Sequence, residues 1–280
     1  MNRTTCEDAL QRFRCHLIGE ELSHGTIEKY CRDVRRFLLW KGKRPVSREL
    51  ALAWKQELVQ AGYAPTTVNS MVVALNTFFR FYSWEDCCLK SLKIQRQTFR
   101  DQSRELTEDE YRRLVTCACK GGKTRLALLL ETIAATGIRV SEVRYITVES
   151  ANRGRVEISL KGKIRTILLP TKLSRKLVKY AKSKKITSGE IFLTRRGKGL
   201  SRKQIWSEMK QLCEESGVSE MKVFPHNLRH LFARVFYRVS RDLVKLADVL
   251  GHSNVETTRI YLLTTANEHI SQLNRLKLVL

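Results

Sequence analysis

From Thr26 to Trp40, apolar residues recur at Ile27, Tyr30, Cys31, Val34, Phe37 and Leu38, which places them on one face of a helix. A shorter periodic run over about Glu7 to Ile18 predicts a helix before it. Ser47 is placed to cap another, which stops near Gly62. Thr66 or Thr67 is placed to cap a fourth, with a buried stripe of Val68, Met71, Val72, Leu75, Phe78 and Phe79. These four segments, joined by short loops, predict a compact helical unit. The stretch Lys93 to Arg104 is polar, basic and without period, and reads as a linker. Thr107 and Glu110 then form a capping-box signature that opens a new helix and a new domain. A long apolar helix follows over about Lys123 to Thr136, and Gly137 stops it.

The period changes once. Arg155 to Leu160 alternates, Lys161-Gly162-Lys163 can turn, and Arg165 to Leu169 alternates again before Pro170, which predicts a hairpin. A short strand at Ile191-Phe-Leu is expected to join it. Helical patterns return at about 171–183, 201–216, 226–238, 242–249 and 254–264, with capping-box starts at Ser201/Gln204 and Ser253/Glu256. The fold class expected is mainly α with a small antiparallel β-sheet. The expected division is a helical domain over 1–92, a linker over 93–104 and a second domain over 105–280.

Charge narrows the partner. The 280 residues carry 52 Lys plus Arg against 28 Asp plus Glu, a formal net charge of +24, which argues for a polyanion and most simply nucleic acid. The excess is present on both sides of position 100, so it belongs to no detachable tail, and both domains are expected to face the polyanion. No apolar stretch approaches the roughly 18 residues that span a bilayer. Glu7 and Asp8 interrupt the start of the chain, which has no apolar core of a signal peptide. The expected location is the cytoplasm, associated with the nucleoid, with no membrane partner. The eight cysteines form no CxxC pair and have no histidine cluster at zinc spacing, so they read as reduced thiols rather than metal ligands.

Four stretches of the second domain could carry chemistry. Each has a plain reading of its own. Arg139, in Ala135-Thr-Gly-Ile-Arg-Val-Ser-Glu142, could be a surface cation beyond a helix C-terminus. Lys161 and Lys163 could be solvated turn residues. In Pro225-His226-Asn-Leu-Arg229-His230, His226 and Arg229 share a helical face and can reach one target, but a basic DNA-facing helix would look the same. In Leu250-Gly-His252-Ser-Asn-Val-Glu-Thr-Thr-Arg-Ile-Tyr261, the tyrosine could be ordinary half-buried core.

Taken together they suit phosphoryl transfer on a nucleic-acid backbone. An attacked phosphodiester gains negative charge on its non-bridging oxygens, and guanidinium forks match that geometry and stay charged. A tyrosine hydroxyl can attack once its proton is accepted, and a lysine beside a polyanion can protonate the leaving oxygen. Two arginines could thus do what metal ions do in many nucleases.

The ordered set Arg139, Lys161, His226-x-x-Arg229, His252 and Tyr261 resembles the tyrosine recombinase (phage integrase) family, in phrases, order and spacing. The resemblance covers nearly the whole chain, since the first unit looks like that family's core-binding domain. It implies an integrase-type catalytic domain in which Arg139 and Arg229 clamp the scissile phosphate and Tyr261 is the nucleophile. Lys161 would be the general acid, with Lys163 the alternate because the hairpin turn aligns in more than one way. His226 and His252 would bind the phosphate or assist proton transfer, and Glu142 would support Arg139. It implies double-stranded DNA as partner, no metal and no cofactor, a 3′-phosphotyrosyl intermediate, and a homo-tetramer that exchanges strands through a Holliday junction, with a monomer or dimer free in solution.

A basic loop opens the capped helix at Ser201, and Arg195, Arg196, Lys198, Arg202 and Lys203 are candidates for phosphate contact there. Ile270, Leu273, Leu276, Leu278 and Leu280 predict an amphipathic tail helix, which the resemblance makes a docking element for a neighbouring protomer. The chain starts almost directly with core-binding helices, so bridging to distant arm-type sites is not expected. Two other functions stay open: a type IB topoisomerase, which shares the chemistry, and a DNA-binding regulator that does not cut.

Overall fold

The structure, a computed structural model, describes residues 8–94, 102–160, 163–252, 254–262, 270 and 274–275. The chain divides into two compact units, Met1–Arg96 and Gln97–Leu280.

The first unit holds α1 (Ala9–Gly19), α2 (His24–Lys41), α3 (Arg48–Gln60) and α4 (Pro65–Phe81), followed by a 3-10 turn at Glu85–Cys87. Ser23 and Ser47 cap α2 and α3 through their hydroxyls. α4 departs from expectation: Ala64 is its N-cap, no side chain caps it, and Pro65 occupies the first turn. Proline presets the helical φ and has no N–H to satisfy, so the helix starts before Thr66. The predicted stripe of α4 is buried, and edge-on ring contacts such as Phe13 to Phe78 at 5.2 Å and Phe37 to Trp54 at 5.3 Å fill the centre. Asn69 and Asn76 on α4 clasp the departing chain. Each exchanges two hydrogen bonds with one backbone residue, Leu92 and Leu89 respectively, in the manner of a strand pair. Of the expected linker, residues 95–101 lie outside the described residues; Gln102–Arg104 form a 3-10 turn.

The second unit begins with α5 (Glu108–Lys120), whose capping box between Thr107 and Glu110 is fully made. α6 (Thr124–Thr136) is its central helix and is buried nearly all round; Thr132 and Thr136 return their hydroxyls to the carbonyls of Leu128 and Thr132. A 3-10 turn (Val140–Tyr145) and α7 (Val148–Arg153) lead to β1 (Arg155–Leu160) and β2 (Lys163–Leu168), an antiparallel pair in which Val156 faces Ile167 and Ile158 faces Arg165. α8 (Thr171–Ser183) packs on α6 and α7. Ile191 to Leu193 does not join the hairpin. Glu190, just before it, and Leu193, at its end, form isolated bridges with Thr147 and Gly199 instead, and among the described residues the sheet keeps two strands.

The single helix expected over 201–216 is two, α9 (Arg202–Lys210) and α10 (Cys213–Ser216), which break at Gln211-Leu212. α11 (Pro225–Ser240), α12 (Leu243–Leu250) and α13 (Val255–Arg259) complete the described helices, and a 3-10 turn (Ile260–Leu262) ends them. Asn254 caps α13, accepting from the backbone N–H of Glu256; the expected Ser253 cap lies outside the described residues. So does the expected tail helix, apart from Ile270 and residues 274–275. Among the described residues no helix is long and apolar enough to cross a membrane.

Candidate active site

Gly137 ends α6 with φ +62°, and a Cβ there would run into the ring of Phe232. The position therefore needs glycine both for its backbone and for its space. The turn delivers Arg139 to the start of the 3-10 segment. The backbone N–H of Arg139 donates to Glu142 Oε2 at 3.0 Å, and its guanidinium donates to Oε1 at 2.9 Å. Glu142 is 2% exposed. A carboxylate that deep is unfavourable unless cations and donors surround it. Its third donor is Arg165 of β2, whose Nη1 reaches Oε2 at 3.1 Å. The Arg139 side chain is 40% exposed, so its outer edge remains open to a ligand.

α11 begins with Pro225 and so places His226, Arg229 and His230 within its first turns. Arg229 is 2% exposed. Its guanidinium donates to the carbonyls of Gly137 and Leu250 and contacts His252 Nε2 at 3.0 Å. Those carbonyls end α6 and α12, where helix dipoles favour a cation. Gly251 ends α12 in the left-handed region, and His252 follows it. Guanidinium nitrogens only donate, so His252 Nε2 accepts; its proton is then on Nδ1, which donates to Thr258 Oγ1 at 2.8 Å. Burial first, then Arg229, Arg139 and Arg165, push the His252 pKa from 6.5 down to about 4. His226 is also lowered, by burial and by Arg229 and Arg139. Both imidazoles are neutral near neutral pH.

Tyr261 lies on the 3-10 turn after α13 and is 3% exposed. Its ring stacks on His252, meets His230 edge-on at 4.4 Å, and lies 6.1 Å from His226. Ala233, Leu246 and Leu250 form the apolar cluster behind it. Arg229 is lowered in pKa chiefly by burial, and a side-chain hydrogen bond with Tyr261 opposes that shift. The phenol and the buried guanidinium are thus direct neighbours.

The structure brings together six residues singled out in the sequence: Arg139, Glu142, His226, Arg229, His252 and Tyr261. Lys161 lies outside the described residues, and Lys163 is the first residue of β2, paired with Leu160. Arg195, Arg196 and Lys198 are exposed on a turn closed by the Thr194 N–H to Lys198 carbonyl bond, and Arg202 and Lys203 are exposed in the first turn of α9. Two neighbours escaped the sequence reading. His230 follows His226 by one helical turn, a spacing that puts both on one face. Arg165 alternates with Ile167 and Leu169, so a charge stood on the buried face of a strand. Among the described residues no three His, Cys, Asp or Glu side chains are grouped to hold a metal ion.

Residues 104–268 match the model of the phage integrase family, and residues 10–86 match its N-terminal SAM-like domain. The chain belongs to the phage integrase family. It is a tyrosine recombinase, an enzyme of site-specific recombination. It is 30% identical to the tyrosine recombinase XerA of Pyrococcus furiosus over 279 residues, 96% of this chain and 94% of that protein. It is also 30% identical to XerC of Roseiflexus castenholzii, over 91% and 88% of the two chains. Its fold resembles a lambda integrase tetramer bound to a Holliday junction, with TM-score 0.74 and 18% identity over 93% of this chain and 78% of that one. XerH bound to its difH substrate gives TM-score 0.68 and 16% identity over 96% and 89%.

Proposed function

We propose that this recombinase cuts and rejoins double-stranded DNA through a covalent 3′-phosphotyrosyl link to Tyr261. The observation that carries the reading is the convergence of Arg139, Arg229, His252 and Tyr261, from separate elements, around one small volume.

Arg139 and Arg229 hold the non-bridging oxygens of the phosphate and stabilise the charge that grows on them as phosphorus becomes five-coordinate. The phenolic oxygen of Tyr261 forms the new bond to phosphorus, and the bond to the 5′-oxygen breaks. The phenolic proton passes to a neutral acceptor, for which His226 is suited because its Nε2 or Nδ1 lone pair stays unprotonated at working pH. Lys161, or Lys163 in its place, supplies a proton to the leaving 5′-oxygen. His252, with Nε2 engaged by Arg229, braces the guanidinium. The phosphoester energy stays in the protein–DNA bond, so a 5′-hydroxyl from a second duplex reverses the step and exchanges strands. Four protomers on two sites would carry this through a Holliday junction. That picture is supported by the tetrameric lambda integrase structure with the same fold and by the net charge of +24.

The test uses two differently labelled duplexes, and beside them a supercoiled plasmid, that carry a site selected from random DNA by the protein itself. Four-armed junctions and exchanged products are expected. Relaxation of supercoiled DNA without junctions would assign the chain to the topoisomerase alternative, and binding without any strand change would assign it to a regulator.

A further inference from the structure

Arg165 has no part in the chemistry proposed above, yet it bonds directly to Glu142, the carboxylate that holds Arg139. It sits on β2 opposite Ile158, on the face that Ile167 turns to the core, and its side chain is 12% exposed. One guanidinium nitrogen donates to Glu142 Oε2 at 3.1 Å and the other to the Val249 carbonyl at 2.7 Å. Its Nε is buried and has no acceptor among the described residues. Gly251 makes room for it, because a Cβ there would collide with the guanidine group. Burial, helped by Arg229 and Arg139, lowers its pKa to about 10 against the pull of Glu142, and it remains a cation near neutral pH.

An apolar side chain would fill this strand position without desolvating a charge or leaving Nε unpaired. What the arginine supplies is a second cation for Glu142. Arg139 holds Oε1, while Oε2 is divided between the Arg139 backbone N–H and Arg165. If Arg139 were the only cation on that buried carboxylate, most of the charge it offers outward would be cancelled. With two guanidiniums on one carboxylate, the group keeps a net positive charge, and Arg139 is its exposed end.

We infer that Arg165 is a positioning residue that, through Glu142, keeps the charge of Arg139 available to the scissile phosphate. Its second bond, to Val249 near the end of α12, holds the same guanidinium against the turn that carries His252. The inference rests on the catalytic reading proposed above.

The experiment compares the full-length wild type with Arg165→Gln, Arg165→Lys, Glu142→Gln and the Arg165→Gln/Glu142→Gln double variant. The probe is a nicked duplex selected from random DNA by the wild type; its binding and the rate of covalent adduct formation in a single turnover are measured. Arg165→Gln is expected to bind the duplex as the wild type does and to form adduct about 100-fold more slowly, as for loss of one preorganised charge. Arg165→Lys keeps the charge and is expected within about tenfold of wild type. Adding Glu142→Gln to Arg165→Gln is expected to recover about tenfold, because the carboxylate that had to be shared is gone. A brace that only held the fold would give losses that add. Equal rates for Arg165→Gln and wild type, equal slowing by Lys and Gln, or a double variant slower than Arg165→Gln would each overturn the inference while the wild-type adduct upholds the catalytic reading. No adduct from the wild type would end both.

Discussion

The imidazole of His252 lies 15° from the plane of the Tyr261 ring, 5.7 Å between centroids, while its Nε2 faces Arg229 at 3.0 Å. One side chain thus forms a wall for the phenol and an acceptor for the buried guanidinium. It can do both only as a neutral ring, since a protonated Nε2 would face Arg229 with a second positive charge.

That requirement gives stability a pH dependence of definite sign. His252 titrates near 6.5 when exposed and about 4 in the fold, and His226 is displaced in the same direction. Between those values the unfolded chain binds more protons than the folded one, so stability is complete above about pH 6.5 and falls as pH drops towards 4. The melting temperature should decline over that window. The decline should be shallower in His252→Gln, which has nothing to titrate; equal slopes would show that His252 is not held neutral.

Arg229 answers to geometry as well as charge. Arg229→Lys keeps the charge but cannot reach the Gly137 and Leu250 carbonyls and His252 together. Single-turnover adduct formation should fall by about 10²–10³. Chemical unfolding should show a loss of about 1–3 kcal/mol from the carbonyl left unpaired.

Gly137→Ala tests the turn that presents Arg139. The new methyl group would meet the Phe232 ring at a backbone angle of +62°. A loss of about 1–3 kcal/mol in urea unfolding is expected from left-handed strain and overpacking. An unchanged midpoint would mean that Phe232 yields freely.

The basic start of α9 should act on DNA without touching the fold. Arg202 and Lys203 are exposed, and Ser201 caps the helix independently of them. Replacing both by Gln should leave the melting temperature in place and weaken duplex binding. The slope of log affinity against log salt should drop by about 0.9 for each phosphate that is no longer neutralised. An unchanged slope would remove these two residues from the interface.

Local rules made much of the fold legible. The capping boxes at Thr107 and Ser201, the glycine stop at Gly137, and the α4 stripe are each set by neighbours within a turn or two. Where longer-range packing decides, the pattern misled. Gln211-Leu212 carries no breaker, yet Leu212, Cys213 and Val218 are buried in one core, and the helix breaks there to bury them. Ile191 and Phe192 are apolar because they are core, not because they pair with the hairpin. The residues that the structure gathers around Arg229 were legible through their phrases, but Arg165 was not, because its partners Glu142 and Val249 lie far away in sequence.

Recombination by this chemistry requires that Tyr261 become bonded to phosphorus. Wild type and Tyr261→Phe are incubated in EDTA with the nicked duplex selected by the wild type, then denatured and resolved by mass. A protein–DNA adduct that maps to Tyr261, with a free 5′-hydroxyl on the released strand and no adduct in Tyr261→Phe, is predicted. An adduct of equal yield in Tyr261→Phe, or cleavage that leaves no protein attached, would contradict it.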